Sequence, residues 1–382
     1  MGNTLTGLIP VMYQGLDIVA REMTGFIPSV SIDSEASTAA VGQTITIHKA
    51  PAAASRNIVP GVTPQNDGDQ VIPPLSMTIT KSKGVPIRWN GDEQKGVGGQ
   101  YGKILADQFA QAVRTLVNEV ETDLAALAIT TSRAYGIAGT TPFVSDVGDM
   151  AQIRKIMVDN GCPMSDCSMV MNTSAGANLR TLYQLTKVNE AGSADTLRRG
   201  TLLDLHGFAM RESGQAYSHT AGTANGAYLT NLIAPLAIGA VDIAVDTGAG
   251  TIVAGDTLTF AGDPNIYVVE TALAAGTLSI AAPGLRQALA DGVAVTVNAG
   301  YSANVAFHRS ALQLLARTPA MPVDATGKAI DMADDVTTIV DPFSGLAFQV
   351  AVYKQYRQIQ YEVGLAWGVK NIKTEFSALL LG

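Results

Sequence analysis

Cysteine is nearly missing: Cys162 and Cys167 are the only two in 382 residues. They lie close together in "GCPMSDC", so no disulfide framework holds this fold, and two reduced thiols beside a turn are the expected state. Histidine is scarce as well. His48, His206, His219 and His308 are scattered without ligand spacing, which leaves no metal site to expect. Charged residues make up only 15% of the chain, with 25 Lys and Arg against 33 Asp and Glu for a net charge of −8. The densest basic pairs, Lys81/Lys83 and Arg198/Arg199, are too small for the patch that a dedicated nucleic-acid binder needs. So few charges fit a surface largely covered by neighbouring subunits. Long hydrophobic runs are also lacking. None reaches about 18 residues, and no membrane span is expected. The opening "MGNTLTGLIPVMYQG" has no basic region and is broken by glycine and Pro10, so it does not read as a signal peptide. Gly2 and Thr6 match the myristoylation pattern, which is short enough to recur by chance.

Catalytic signatures are missing in turn. A serine-hydrolase elbow needs G-x-S-x-G on a strand-to-helix turn. "NTSAG" has Asn172 at the first glycine position and "GYSAN" has Asn304 at the second, so Ser174 and Ser302 read as turn residues. "HRSA" (His308–Ala311) offers a base without a nucleophile at a recognisable spacing. "GVGGQYG" (Gly96–Gly102) misses the dinucleotide fingerprint because Tyr101 stands where its last glycine belongs. "NDGD" (Asn66–Asp69) begins like a calcium loop, but Thr78 occupies the closing glutamate position. "DMADD" (Asp331–Asp335) reads as an exposed acidic turn. No catalytic, cofactor or metal residue is expected.

What is present is organisation. Residues 1–35 carry a short helical stripe (Leu8, Met12, Leu16, Val19, Met23) cut by Pro10 and Pro28, and they read as an arm. "QTITIHKAP" and "LSMTITKSKGVPIRW" alternate as strands around a Pro-, Gly- and Asn-rich tip, so residues 36–90 read as a long protruding two-stranded loop. A lone two-stranded ribbon is marginal in water, which calls for a neighbour beneath it. Lys103–Ile129 is the clearest helix: Leu105, Phe109, Ala112, Leu116, Val120, Leu124 and Leu127 recur every three or four residues, with Glu121 counted on the polar side. It spans roughly 40 Å at 1.5 Å per residue. An α/β-like stretch follows. Then "TIVAGDTLTFAGDPNIYVVETALAAGTLSI" announces a small β-module over about Tyr228–Val297. "YSANVAFHRSALQLLART" resumes as strand then helix. The end is a hairpin whose second strand alternates through Ile359, Tyr361, Val363, Leu365, Trp367 and Val369, half-buried by its pattern.

This order of segments resembles the major capsid (coat) proteins of tailed bacteriophages. In that family's terms "NTLTGLIPVMYQGLDIVAREMTGFIPSV" is similar to the arm, the ribbon to Trp89 to the extended loop, and Lys103–Ile129 to the spine helix. "IRKIMVDNGCP", "LRRGTLLDLHGFAMRES" and "VAFHRSALQLLAR" resemble axial-domain segments, and "GLAWGVKNIKTEFSALLLG" the closing strand and tail. The resemblance implies an α+β, Hong Kong-type capsid fold of the short-tailed-phage branch that carries an inserted β-barrel. Its expected parts are an N-terminal arm (1–35), extended β-loop (36–90), spine helix and peripheral domain (91–145), axial domain (146–227 and 298–345), inserted β-domain (228–297), and peripheral hairpin with C-terminal tail (346–382). The insert is shorter than the family's best-known example, which implies fewer or tighter strands.

The implied function is a non-enzymatic icosahedral head shell enclosing double-stranded DNA, located in the virion and assembled in the host bacterial cytoplasm. The implied partners are the chain itself in hexamers and pentamers, a separate scaffolding protein, a portal, and DNA held without sequence-specific binding. No membrane, cofactor or metal is implied. Lys49, Arg56, Lys81, Lys83, Arg88 and Trp89 are the expected intersubunit contacts, and no lysine–asparagine cross-link is expected from Lys49, Lys81 or Lys83. Two other readings fit parts of the pattern: an encapsulin-like nanocompartment shell, and a β-rich surface binding protein.

Overall fold

The computed structural model describes residues 24–382 apart from 49–52, 54, 64–68, 70, 73, 98, 100, 188, 190–194, 203, 225, 327–329, 332 and 342–343. It is a mixed α+β chain built on two large sheets and a two-stranded ribbon. Most of the expected arm lies outside the described residues, but its end contributes to the core. Phe26, Ile27 and Val30 are buried in the main apolar cluster. Strand β1 (Ser31–Ala39) then runs parallel to β16 (Leu312–Pro319). Pro28 and Ser29 interrupt the apolar residues, so no period announces their burial. Distant contacts supply it.

The ribbon is shorter than its sequence suggests. Strands β2 (Thr44–His48) and β3 (Pro74–Thr78) pair in antiparallel register with each other and stand apart from both sheets. Strand β4 (Lys81–Asn90) leaves the ribbon and pairs along its whole length with β19 (Gln358–Asn371). Its alternation has a local cause: Ile87 and Trp89 pack into the core, with Val85 partly buried beside them.

The long helix, Tyr101–Ala126, lies against β4 and β19. Its 26 residues rise about 39 Å. Leu105, Phe109, Val113, Leu116, Val120 and Leu124 form its buried stripe, and Phe109 meets Tyr361 edge-on at 5.5 Å between ring centroids. Burying each large apolar side chain contributes roughly 1.5–3 kcal/mol, so one polar substitution at Leu116 or Val120 would cost a large share of subunit stability.

Strands β17 (Asp335–Val340) and β18 (Ala347–Gln355) complete this sheet in the order β1-β16-β19-β18-β17, with β4 on β19. The β18–β19 hairpin turns at Tyr356–Arg357, where Arg357 has φ +56°. The apolar residues of β19 alternate as expected, yet the strand is buried on both faces between Val363 and Gly368. Small residues explain the second face. Gly364, Ala366 and Gly368 occupy it, and a Cβ at Gly368 would stand 2.1 Å from the Thr78 carbonyl oxygen. The root of the ribbon crosses there in backbone contact, and Thr80 N–H donates to the Trp367 carbonyl at 3.0 Å.

The second sheet holds β5 (Arg133–Tyr135), β6 (Cys167–Met171), β7 (Phe208–Glu212), β15 (Tyr301–His308) and β20 (Ser377–Leu381), ordered β5-β20-β15-β6-β7. Strand β8 (Ser218–His219) also pairs with β15. The helices Gly148–Asp159 and Thr173–Thr181 lend Met150, Ile153, Met157 and Leu179 to a second core with Met169, Met171, Phe208 and Leu380. Two expectations change here. Residues 301–318 form two strands and no helix. The run around Leu312–Ala316 mimics a helical period because β16 is buried on both faces. The C-terminal tail also leaves the hairpin's sheet: β20 inserts between β5 and β15, where Ala378–Leu381 are fully buried.

Strands β9 (Tyr228–Thr230), β10 (Asp242–Asp246), β11 (Thr257–Phe260), β12 (Ile266–Ala274), β13 (Thr277–Ile280) and β14 (Ala294–Val297) pair in the ring β11-β14-β9-β10-β13-β12-β11. This is a closed six-stranded barrel. It has its own core of Ile243, Leu258, Tyr267, Val269, Leu278, Ile280 and Val295. Ala275 (φ +50°) and Gly276 (φ +81°) make the tight β12–β13 turn, a hairpin geometry that needs two left-handed residues. The chain leaves the second sheet at β8 and returns at β15, and those strands pair at His219 and Tyr301.

Candidate assembly surface

The structure separates the residues proposed as a contact set. Lys49 lies outside the described residues. Arg56 is exposed on the ribbon tip and Arg88 is exposed on β4. Lys81, Lys83 and Trp89 share β4, but they face the chain's own long helix rather than a ribbon surface. Lys81 Nζ meets Asp123 Oδ1 at 2.6 Å, Lys83 Nζ meets Glu119 Oε2 at 2.6 Å, and Trp89 Nε1 donates to Gln108 Oε1 at 2.7 Å. Both lysines are partly solvated, so these ion pairs contribute at most about 1 kcal/mol each. Asp123 also accepts from the indole of buried Trp367 at 2.8 Å. Lys81 and Trp367 thereby fasten β4 and β19 to one turn of the helix.

Beside Arg56, the described ribbon tip shows large apolar residues to solvent. Ile58 is 91% exposed, Val62 105% and Val71 85%, with Val59 and Ile72 beside them in sequence. A second apolar display sits on the barrel between β9 and β10, where "NLIAPLAIGAV" carries no charge. Its Leu236 is pinned by paired backbone bonds to Leu289, while Ile233 and Ile238 point outward.

Three buried polar joints tie distant parts of the subunit together. Glu121 Oε1 accepts the Gly25 and Phe26 N–H groups at 2.6 and 2.8 Å, and Oε2 accepts that of Ile27 at 3.1 Å. Burial pushes this carboxyl above its ordinary range, against the pull of the backbone donors. The polar-side assignment of Glu121 is therefore corrected. Standing four residues after Val117 and three before Leu124, it was on the buried face by period alone. In the second joint, His219 Nε2 meets Asp256 Oδ1 at 2.8 Å, and the Val253 N–H donates to Asp256 Oδ2 at 2.8 Å. Tyr301 stacks near His219 and donates to the Gly255 carbonyl at 2.8 Å. In the third, β5 pairs with β12 while buried Arg133 donates to Asn265 Oδ1 at 2.8 Å and to the Ile156 carbonyl at 3.2 Å. Burial holds the Arg133 guanidinium below its usual value. It lines a cavity of about 540 Å³ between barrel and body. No sequence pattern pairs His219 with Asp256, because only the barrel's closure brings them together.

Residues screened for chemistry have structural partners. Asn172 caps its helix by accepting the Ala175 N–H at 2.7 Å, which puts Ser174 in a helical first turn. His308 Nδ1 meets Ser310 Oγ at 2.8 Å and also accepts the Ser310 N–H at 3.1 Å, a local turn at the end of β15. Among the described residues no group of three His, Cys, Asp or Glu side chains is placed to hold a metal, and no helix is long and apolar enough to cross a membrane.

No family model matches this chain, and no curated protein matches it in sequence. Solved structures do match, among them chains from phage capsids and from a virus-like particle. The capsid of cyanophage P-SCSP1u is 11% identical, with 94% of this chain and 88% of that one covered at a TM-score of 0.48. A chain from the mature capsid of bacteriophage PhiM1 is 12% identical, with coverages of 92% and 85% and a TM-score of 0.46. The virus-like particle from Pyrococcus furiosus is 8% identical, with coverages of 97% and 98% and a TM-score of 0.45. At these values the likeness is one of outline.

Proposed function

We propose that this chain is the subunit of a closed protein shell, the major capsid protein of a tailed phage, with no catalytic role. One observation carries the reading: among the described residues, the tip of the β2–β3 ribbon exposes Ile58, Val62 and Val71. A two-stranded ribbon is marginal alone, and exposed edges invite pairing with another chain. Closed symmetry satisfies such a surface in every copy at once. On this reading the long helix and the β18–β19 hairpin form the peripheral framework of a Hong Kong-type fold, joined by β4, which was expected within the extended loop. The second sheet with its flanking helices would be the axial part, with β5 and β20 joining it from segments expected to be peripheral. The ring of β9–β14, which leaves and returns on paired strands, fits an inserted domain. The acidic balance suits a wall that encloses DNA without gripping it, and scaffolding and portal proteins are the partners this reading implies.

The test is electron microscopy and sedimentation of the full chain, expressed alone and with its flanking genes. Closed shells of one or a few diameters are expected. Shells filled with a cellular enzyme would make it a nanocompartment. A species that stays at 39.7 kDa under every condition overturns the shell reading.

A further inference from the structure

We propose that Cys162 and Cys167 form a redox site: a buried dithiol that a small-molecule disulfide converts into an intrachain bridge across the corner between the Gly148–Asp159 helix and β6. Nothing in the shell reading requires this pair.

The corner is built so that the two sulfurs meet. The helix ends at Asn160, Gly161 reverses the chain at φ +79°, and the Cys162 N–H still bonds to the Met157 carbonyl at 3.0 Å. Asp166 turns it again at φ +58°, and Cys167 is fixed in register between Phe208 of β7 and His308 of β15. Each Sγ lies 3.3 Å from the same Pro163 carbonyl oxygen. Both are buried in the second core. A disulfide requires its two Cβ atoms to approach from facing positions, and here the fold has already closed the connecting loop.

The surroundings distinguish the two sulfurs. The hydrogen bond from Cys162 holds the Cys167 thiol below its ordinary range, aided by the charge of Arg154 and opposed by burial and Asp166. The same bond, with burial, pushes the Cys162 thiol up. Cys167 is taken as the attacking thiolate, the order that the single serine variants test. Its sulfur attacks one sulfur of the reagent, the reagent's S–S bond breaks, and half of the reagent leaves as a thiolate that takes up the proton Cys167 released. Cys162 then gives up its proton and attacks Cys167 Sγ in the mixed disulfide, expelling the second half as a thiol. Two protein thiols are oxidised by two electrons, and one reagent disulfide becomes two thiols.

The probe is bis(2-hydroxyethyl) disulfide, small and uncharged, with its thiol as the counter-reagent. The full-length chain is brought to equilibrium from both the reduced and the oxidised side, quenched with acid, unfolded, alkylated and mapped by mass spectrometry. The two approaches should converge on a Cys162–Cys167 link, with an equilibrium constant at least about ten-fold larger than for the chain in urea. Convergence on two alkylated thiols overturns the proposal. So does a link no more favourable when folded than in urea. In Cys162→Ser, Cys167 is expected to hold the reagent as a mixed disulfide. Equally fast capture by Cys162 in Cys167→Ser would overturn the order of attack.

Discussion

Two β-structures leave the body of this chain, and the physics of their edges separates them. The barrel closes its hydrogen-bond ring through β11 and β12 and fills the interior with Leu258, Tyr267 and Ile280. It is then bolted down by the His219–Asp256 pair and by the β5–β12 pairing. The ribbon has two five-residue strands, two open edges and an apolar tip. Closure satisfies backbone groups within the subunit, while an open ribbon defers them to another molecule. The same alternating sequence pattern therefore yields a module that closes on itself in one place and, on the shell reading, a surface that meets a neighbour in the other.

The comparison can be broken most sharply at the barrel's joint. Asp256 is fully buried, meets His219, and accepts the Gly222 and Val253 N–H groups. Asp256→Ala strands all three donors, and removing one partner of such a pair costs about 3–5 kcal/mol. Urea unfolding should show that loss, and amide exchange should quicken at 219–222 and 253–256. A loss below about 1 kcal/mol would mean that the barrel's own core and strand pairing suffice to hold it.

A smaller effect is expected at Glu121, which ties residues 25–27 to the long helix. Its carboxyl titrates above the ordinary value of 4.5 in the folded chain, so the folded state holds a proton that the unfolded state has lost. That contribution is complete below the unfolded value and disappears as pH rises through the folded one. Glu121→Gln removes the titration and one acceptor, at about 1–3 kcal/mol. Measured by urea unfolding from about pH 4 to about pH 8, the wild-type advantage over Glu121→Gln should shrink as pH rises. A widening gap would mean that the three backbone donors outweigh burial.

These sites also show how far the sequence could be read. The long helix and the β18–β19 hairpin were legible because each follows a local period: Leu105 to Leu124 at helical spacing, Ile359 to Val369 at every second residue. Elements buried on both faces were not. The Leu312–Ala316 run of β16 lost its alternation and imitated a helix. Phe26, Ile27 and Val30 are too few to show a period, and the final "SALLL" carries no mark of which sheet will take it. Among the contact residues, Lys81 and Lys83 were noticed for their charge. Their partners Asp123 and Glu119 sit on an element whose proximity only the fold determines.

The least disturbance to the subunit should have the greatest consequence for assembly. Ile58 and Val62 meet water in the subunit, so Ile58→Asp with Val62→Asp should shift its unfolding free energy by no more than about 0.5 kcal/mol. If the tip lies against a neighbour, each copy would bury two unpaired carboxylates, and a buried charge without a partner is prohibitive. The double variant should be a folded monomer that forms no shells by sedimentation or electron microscopy. Ile233→Asp on the barrel loop supplies the contrast, since a module that closes on itself should tolerate the charge and still assemble, with weaker contacts. Normal shells from the ribbon variant would show that the open ribbon finds its cover elsewhere. Shells lost only with Ile233→Asp would transfer the contact to the barrel and reverse the comparison.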